Sequence, residues 1–287
     1  MWWVARFKKD DPAMHEDTAP LAIVTGSARG IGASIAQRLA VAGYAVAIWD
    51  FDGEGAIAQA KALAATGHRA IAARVDVADA AAVEAATQAA ETAFGVPYLL
   101  VNNAGIRHRE PLEDVQRQNW DREIATNLTG PFQCTQTVGR RMLAAGRGAI
   151  VNIASMSGTF GQAMRGAYTP SKAGLIGLTS LTAVEWGGRG IRCNAISPGM
   201  IATPVHAEAY GNEAVRRARE AMVPLGRIGD GDDIADVVVF LASDAARYIN
   251  GANIPVDGGV TKALIALMPI ASANGELTTT AAQLGLK

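Results

Sequence analysis

Five uncharged residues, Leu21-Ala22-Ile23-Val24-Thr25, run straight into Gly26-Ser27-Ala28-Arg29-Gly30-Ile31-Gly32 and then into an amphipathic stretch over 33–40. A short apolar run without alternation suits a strand buried on both faces, and such a strand needs helices on both sides of a parallel sheet. The glycines clear side chains from the point where the chain turns from strand to helix. Free amides and the positive end of the helix dipole then face whatever approaches, so the turn is a candidate cradle for a pyrophosphate. Its spacing departs from the general GxGxxG fingerprint, and glycines alone would suit a plain turn equally well.

The next apolar run, Tyr44 to Trp49, removes that ambiguity because it ends in Asp50, twenty residues after Gly30. A carboxylate there can accept hydrogen bonds from adenosine ribose hydroxyls and repels a 2′-phosphate, which argues for NAD as the cofactor. Arg29 pulls the other way, since a cation beside the turn could reach a 2′-phosphate; the carboxylate holds the selecting position. Asp52 is expected to be a solvated loop residue. Further apolar runs over 69–75, followed by Asp76-Val77, and 98–101, followed by Asn102-Asn103-Ala104-Gly105, alternate with helical stretches rich in Ala and Glu. The alternation predicts an α/β fold, a doubly wound parallel sheet with right-handed crossovers and helices on both faces.

A chain of 287 residues that is 49% hydrophobic and 18% charged can bury a core of that size. A net charge of -1 offers no basic face to nucleic acid or to an anionic membrane, so neither is an expected partner. Cys134 and Cys193 lie far apart without metal-ligand spacing, so no metal site is expected and both read as small buried residues in a reducing compartment. No apolar run reaches the ~18 residues that span a bilayer, and the first residues lack a signal peptide's apolar region. A soluble, cytoplasmic protein is the expectation. Residues 1–19, broken by Pro12 and Pro20, are expected to form a flexible arm, with the fold proper at 20–260 and a C-terminal extension at 261–287. Within the extension, 263–270 is apolar enough to dock on a neighbouring subunit, and the polar tail beyond it is expected to be disordered.

Tyr168-Thr169-Pro170-Ser171-Lys172, with Ser155 thirteen residues upstream, carries the chemistry. If Tyr168 opens a helix, Lys172 lies one turn along on the same face, close enough for its ammonium to favour the phenolate. Such a pair can exchange protons nearer neutral pH than a free phenol, which titrates near ~10.

The motifs TGSARGIG (25–32), DV (76–77), NNAG (102–105), Asn127, Ser155, YTPSK (168–172) and SPGMIATP (197–204) together resemble the short-chain dehydrogenase/reductase family, in its order and spacing, over residues 20 to 260. The resemblance implies a single Rossmann-type domain with a seven-stranded parallel sheet, usually a homotetramer, that moves hydride between a nicotinamide and a carbonyl or secondary alcohol. It assigns catalysis to Asn127, Ser155, Tyr168 and Lys172. Tyr168 would exchange the proton, Lys172 would lower its pKa and bond the nicotinamide ribose, Ser155 would steady the substrate oxygen, and Asn127 would support a relay water. Gly26, Ser27, Arg29, Gly30, Ile31 and Gly32 would cradle the pyrophosphate, and Asp50 would hold the ribose. Asp76 and Val77 would face the adenine; Asn102, Asn103, Ala104 and Gly105 would line the floor; Pro198, Gly199, Ile201 and Thr203 would complete the cofactor site. The stretch Leu175 to Trp186 is apolar nearly all round and would pair with its copy across a dimer interface, and Asn253 to Val256 with the following Asp-Gly-Gly turn would lie near a second one.

The substrate is least constrained. Val205 to Leu225 would close over it as a lid. Arg107-His108-Arg109 resembles the basic pair of gluconate 5-dehydrogenase-like members, where an arginine can clamp a sugar-acid carboxylate through two parallel hydrogen bonds. Arg109 is the leading candidate and Arg165 and His206 are further ones, against the plain alternative of solvated loop charges. The expected activity is NAD-dependent interconversion of a secondary alcohol and a ketone on a polyol, sugar or sugar acid. The alternatives are a 3-oxoacyl thioester reductase and a catalytically silent NAD-binding sensor.

Overall fold

β1 (Leu21–Thr25) is buried along its whole length, as an unalternating apolar run requires. The structure, a computed structural model, describes residues 19–204, 211–263, 269–271 and 277–279. β1 is the third strand of a seven-stranded sheet of order β3-β2-β1-β4-β5-β6-β7, formed with β2 (Ala45–Asp50), β3 (Ala70–Arg74), β4 (Pro97–Asn102), β5 (Gly148–Ile153), β6 (Ile191–Pro198) and β7 (Asn253–Val256). Every pairing in it is parallel. This is the doubly wound sheet that the alternation predicts.

Successive residues of each strand feed opposite cores. Ala22, Val24, Val46, Ile48, Leu99 and Val101 meet α1 (Gly30–Val41), α2 (Gly53–Ala65) and α8 (Gly231–Ala242) on one face. Leu21, Ile23, Ala47, Trp49, Leu100 and Ile150 meet α3 (Ala80–Phe94) and α5 (Gly130–Ala145) on the other. Between them in sequence lie α4 (Arg117–Ile124), which runs through a π turn at Ala125–Thr129 into α5, α6 (Tyr168–Trp186) and α7 (Glu213–Glu220). Cys134 and Cys193 are free thiols inside this packing, and burial pushes both up to about 12.

Asp52 stays partly in solvent at the loop's end but also has a structural role. Its carboxylate accepts from Gly55 N at 3.0 Å and caps α2, a short-range role that its place three residues ahead of Gly55 makes geometrically natural. β8 (Pro269–Ala271) and β9 (Leu277–Thr279) form a short antiparallel pair, with Thr278 opposite Ile270 in register. The N-terminal arm lies outside the described residues. Among the described residues, no helix is long and apolar enough to cross a membrane.

Strand order reverses between β1 and β4, so the crevice beyond their carboxyl ends is where an open α/β sheet takes a ligand. On the far side of the sheet, Gly139 of α5 lets the Trp186 ring of α6 lie against the helix: a Cβ there would sit 2.3 Å from Trp186 Cζ3. Gly139→Ala tests that contact by sign. On an open helix face the change gains roughly 0.5–1 kcal/mol; here the displaced indole costs about 1–3 kcal/mol, and each kcal/mol lowers Tm by about 2–4 °C. A thermal melt with unchanged or raised Tm would show that Trp186 moves aside freely.

Candidate active site

The glycine turn closes on the loop that follows β4. Gly26 and Gly30 adopt positive φ, +64° and +60°, a backbone that side chains disfavour. A Cβ on Gly26 would lie 2.7 Å from Ala104 Cα, and one on Gly32 would lie 2.1 Å from the Gly26 carbonyl oxygen. Only glycine fits at either place. Around Gly30 there is room, with Thr203 and Pro204 first met at 3.8 Å and 3.9 Å from a Cβ built there, so the 199–204 loop overhangs the start of α1. The Ser27 hydroxyl turns inward and donates to Val24 O at 2.7 Å, which makes it part of the turn's scaffold.

Asp50 ends β2 with both carboxylate oxygens tethered. Oδ2 accepts from Ala28 N and Oδ1 from Asp52 N, each at 2.9 Å, so the carboxylate is fixed against the glycine turn while each oxygen keeps a lone pair. Arg29 faces Asp52 at 3.5 Å. A glycine cradle, a helix N-terminus and a fixed carboxylate are the features a dinucleotide needs, and these residues fit one. Asp76 lines a cleft of about 580 Å3 together with Arg122 and Thr126 of the α4–π segment. Val77 beneath it is buried against Gly130. Asn102 also turns inward: its Nδ2 donates to Asn152 Oδ1 at 2.8 Å and to Thr135 Oγ1 at 3.2 Å, so Asn103 and Ala104, not Asn102, meet the glycine turn. Gly199 packs on Asp257 and Ile201 pairs with Gly229, which leaves Thr203 as the residue of the Pro198–Thr203 loop nearest α1.

Ser155, just past β5, lies close enough to Tyr168, the first residue of α6, to hold down its phenol. One turn on, Lys172 Nζ donates to Ile153 O at 2.8 Å and sits 5.8 Å from the Tyr168 ring centroid. Asn127, in the π turn, bonds both backbone groups of Ile106, its Nδ2 donating to O and its Oδ1 accepting from N at 2.8 Å, and donates to Ser171 Oγ at 3.2 Å. A Cβ on Gly105 would stand 3.3 Å from Asn127 Oδ1 and 3.5 Å from Lys172 Nζ, so this glycine separates the two. All four residues expected to be catalytic therefore share one end of the sheet.

Their electrostatics differ from the expectation. Burial raises the Tyr168 phenol above its ordinary value, opposed by Ser155 and by the charges of Arg107 and Arg165, and reinforced by Glu123. Burial also lowers the Lys172 ammonium, to about 8. Arg165 is likewise lowered, first by burial and then by the nearby charges of Arg107, Arg109 and Arg219, and among the described residues its buried Nε has no hydrogen-bond partner. The charges of Arg107 and Arg165 thus bear on the tyrosine, and that of Arg109 bears on Arg165. Arg107, passed over in the sequence in favour of Arg109, is the one of that loop pair whose charge reaches Tyr168. His206 lies outside the described residues. Glu123 carried no sequence signal except its place four residues before Asn127.

A family model described as enoyl-(acyl carrier protein) reductase matches residues 26–261. The D-threitol dehydrogenase of Mycolicibacterium smegmatis is 45% identical over 243 residues, covering 84% of this chain and 92% of that protein. The L-rhamnose 1-dehydrogenase (NAD(P)(+)) of Azotobacter vinelandii is 44% identical, covering 83% of this chain and 95% of its own. Among solved structures, a gluconate 5-dehydrogenase from Burkholderia cenocepacia in complex with NADP and tartrate matches with a TM-score of 0.82 at 34% identity, over 91% of this chain and 99% of that one. With the Rossmann-type sheet and its glycine cradle, these likenesses define an oxidoreductase that acts on CH–OH groups with a nicotinamide cofactor. The chain belongs to the short-chain dehydrogenase/reductase family.

Burial of Lys172 has a measurable consequence. Its folded-state value of about 8 lies below the ordinary 10.5, so between these values the unfolded chain holds a proton that the folded chain has released, and stability rises with pH. Relative to Lys172→Met, the wild type should gain about 1.5–2 kcal/mol between about pH 7.5 and pH 9.5, read from urea unfolding. The raised Tyr168 phenol titrates above that window and does not interfere. A difference independent of pH would show that Lys172 titrates as a solvated lysine.

Proposed function

We propose that the protein is an NAD-dependent dehydrogenase that interconverts a secondary alcohol and a ketone on a sugar acid or a related polyol. The observation that carries this reading is Arg165, half-buried with a buried Nε that has no hydrogen-bond partner among the described residues, with the charges of Arg107 and Arg109 bearing on it. Like charges held together in a partly buried site repel one another, and an anion bound among them relieves the repulsion. A carboxylate-bearing substrate would place its acid there and its reacting hydroxyl toward Tyr168. Tartrate in the gluconate 5-dehydrogenase structure and the polyol and sugar in the two relatives' names support the same class.

The cofactor would be held by Gly26, Gly30, Gly32, Asn103, Ala104 and Thr203 at the pyrophosphate, with Asp50 on the ribose and Asp76 toward the adenine. The nicotinamide, once bound, accepts or gives the hydride. Ser155 holds the substrate oxygen by hydrogen bond, which steadies negative charge developing on it. Tyr168 takes the hydroxyl proton in oxidation and returns it in reduction, with Arg107 and Arg165 favouring its charged form. Asn127 fixes Ile106 and borders Lys172, the route by which a proton reaches solvent. The tethered Asp50 favours NAD, and the pairing of Arg29 with Asp52 engages the one cation weighed against it.

An oligomer, a homotetramer by resemblance, fits the surface of α6: Leu181 and Val184 are 55% and 84% exposed on a helix whose remaining face is packed. Two buried free thiols are consistent with a reducing, cytoplasmic setting. The enoyl-(acyl carrier protein) reductase description of the family model favours a second reading, reduction of an acyl thioester.

NADH formation across polyols, aldoses, aldonates and secondary alcohols, with NADH consumption on 3-oxoacyl thioesters, separates the two readings. Aldonates should lead. Arg165→Ala should raise KM for them by about 10- to 100-fold, the worth of a charge-assisted pair, and leave KM for neutral alcohols little changed, while any loss of kcat through Tyr168 falls on both substrates alike. Tyr168→Phe should lower turnover on every substrate by about 10²–10⁴-fold. Leading activity on thioesters would overturn the substrate class, and unchanged turnover of Tyr168→Phe would overturn the mechanism. In a separate comparison, Asp50→Ala should raise the NADP/NAD ratio of kcat/KM by roughly tenfold, the effect of removing one like-charge repulsion. A constant ratio would remove Asp50 as the selector.

A further inference from the structure

Two side chains one helical turn apart tie down alternate residues of the loop leaving β4. Asn127 holds both backbone groups of Ile106, and Glu123 Oε1 accepts from the His108 backbone amide and also pairs with His108 Nδ1 at 2.9 Å. Four residues of helix rise about 6 Å and two residues of extended chain span about 6.6 Å, so the spacings match and the loop runs alongside the helix. With Ile106 and His108 bound to the helix, the intervening positions, Arg107 and Arg109, are the ones whose charges bear on Arg165. His108 and the two arginines therefore fall on opposite sides of the loop's alternation.

Glu123 is an unusual residue to spend on holding a loop. It is 1% exposed, and among the described residues its buried Oε2 has no hydrogen-bond partner. A carboxylate taken out of water is costly unless opposite charge lies close. Here its charge is felt at Tyr168, where Arg107 and Arg165 act in the opposite sense.

We infer that Glu123, acting through His108, is a positioning residue for the anionic end of the substrate: it holds the loop over 106–109 so that Arg107 and Arg109 converge with Arg165 beside Tyr168. The inference rests on the reading that these arginines receive a carboxylate. Glu123 itself touches neither substrate nor cofactor. Removing it lets the loop swing and disperses the arginines, which weakens the grip on an anion and leaves the binding of a neutral alcohol, governed by Ser155 and Tyr168, in place.

The test compares KM and kcat for the best aldonate and the best neutral secondary alcohol in wild type, Glu123→Ala, Glu123→Gln, His108→Ala and Arg165→Ala. Glu123→Ala should raise KM for the aldonate about tenfold or more while KM for the neutral alcohol stays within about threefold. Glu123→Gln keeps an acceptor for both His108 donors and should restore the aldonate KM to within about threefold of wild type; His108→Ala, which keeps the amide bond, should fall between. If Glu123→Ala does not fold, the Gln and His108 variants carry the test alone. An equal rise of KM on both substrates, or none on the aldonate while Arg165→Ala shows a large one, would overturn the role of Glu123 and leave the carboxylate reading standing. Loss of aldonate preference nowhere, Arg165→Ala included, would overturn both.

Discussion

Thr25, the last residue of β1, accepts the backbone amides of Asn103 and Ala104 at its Oγ1, while Asn103 Nδ2 donates to the carbonyls of Thr25 and Gly26. These four bonds join the ends of β1 and β4 where the strand order reverses and the two following loops would otherwise part. Gly26 can lie against Ala104 only because neither needs space for a side chain there. Everything functional is positioned from this junction. The glycine turn leads to α1 and the cofactor side; the loop after Ala104 leads to Ile106, Arg107 and the substrate side. A single cross-strand tie thus sets the distance between the two halves of the site.

The site concentrates buried ionisable groups that a folding chain would otherwise avoid. Lys172 is held against a backbone carbonyl, Tyr168 is raised by burial, Arg165 is lowered by burial and by its neighbours, and Glu123 is almost wholly enclosed. Each carries a desolvation cost that packing elsewhere must offset. Lys172 and Arg165, held in this way, give up a proton more readily than solvated cations do.

Much of this was legible because backbone geometry restricts residue type. A strand buried on both faces must be apolar, a turn closing on another backbone must be glycine, and a carboxylate twenty residues past the turn has one place to go in a doubly wound sheet. Those constraints act over short sequence distances, and the sheet, the cradle, Asp50 and the Ser155–Tyr168–Lys172 grouping followed from them. The misreadings involve partners chosen across long distances. Asn102 turns inward because Thr135 and Asn152 are there, Asn103 outranks it because Gly26 is there, and the loop after β4 is held by Glu123, fifteen residues after His108. The capping role of Asp52 was missed for a different reason: a capping aspartate and a solvated one look alike until the helix start is fixed.

The balance of charge around Tyr168 connects these points to selectivity. Three arginines and one buried glutamate leave the site electropositive, with repulsion that the fold sustains before any substrate arrives. An anionic substrate recovers that energy on binding, and a neutral one does not, so discrimination is stored in the protein and not only in new contacts. The same field favours charge on the phenol that exchanges the proton. Binding the carboxylate neutralises part of it, and Ser155 and the remaining cations must then carry the developing negative charge. On the proposed reading, selectivity for an acid and ease of proton transfer would therefore draw on one set of charges, and the buried Glu123 offsets part of it.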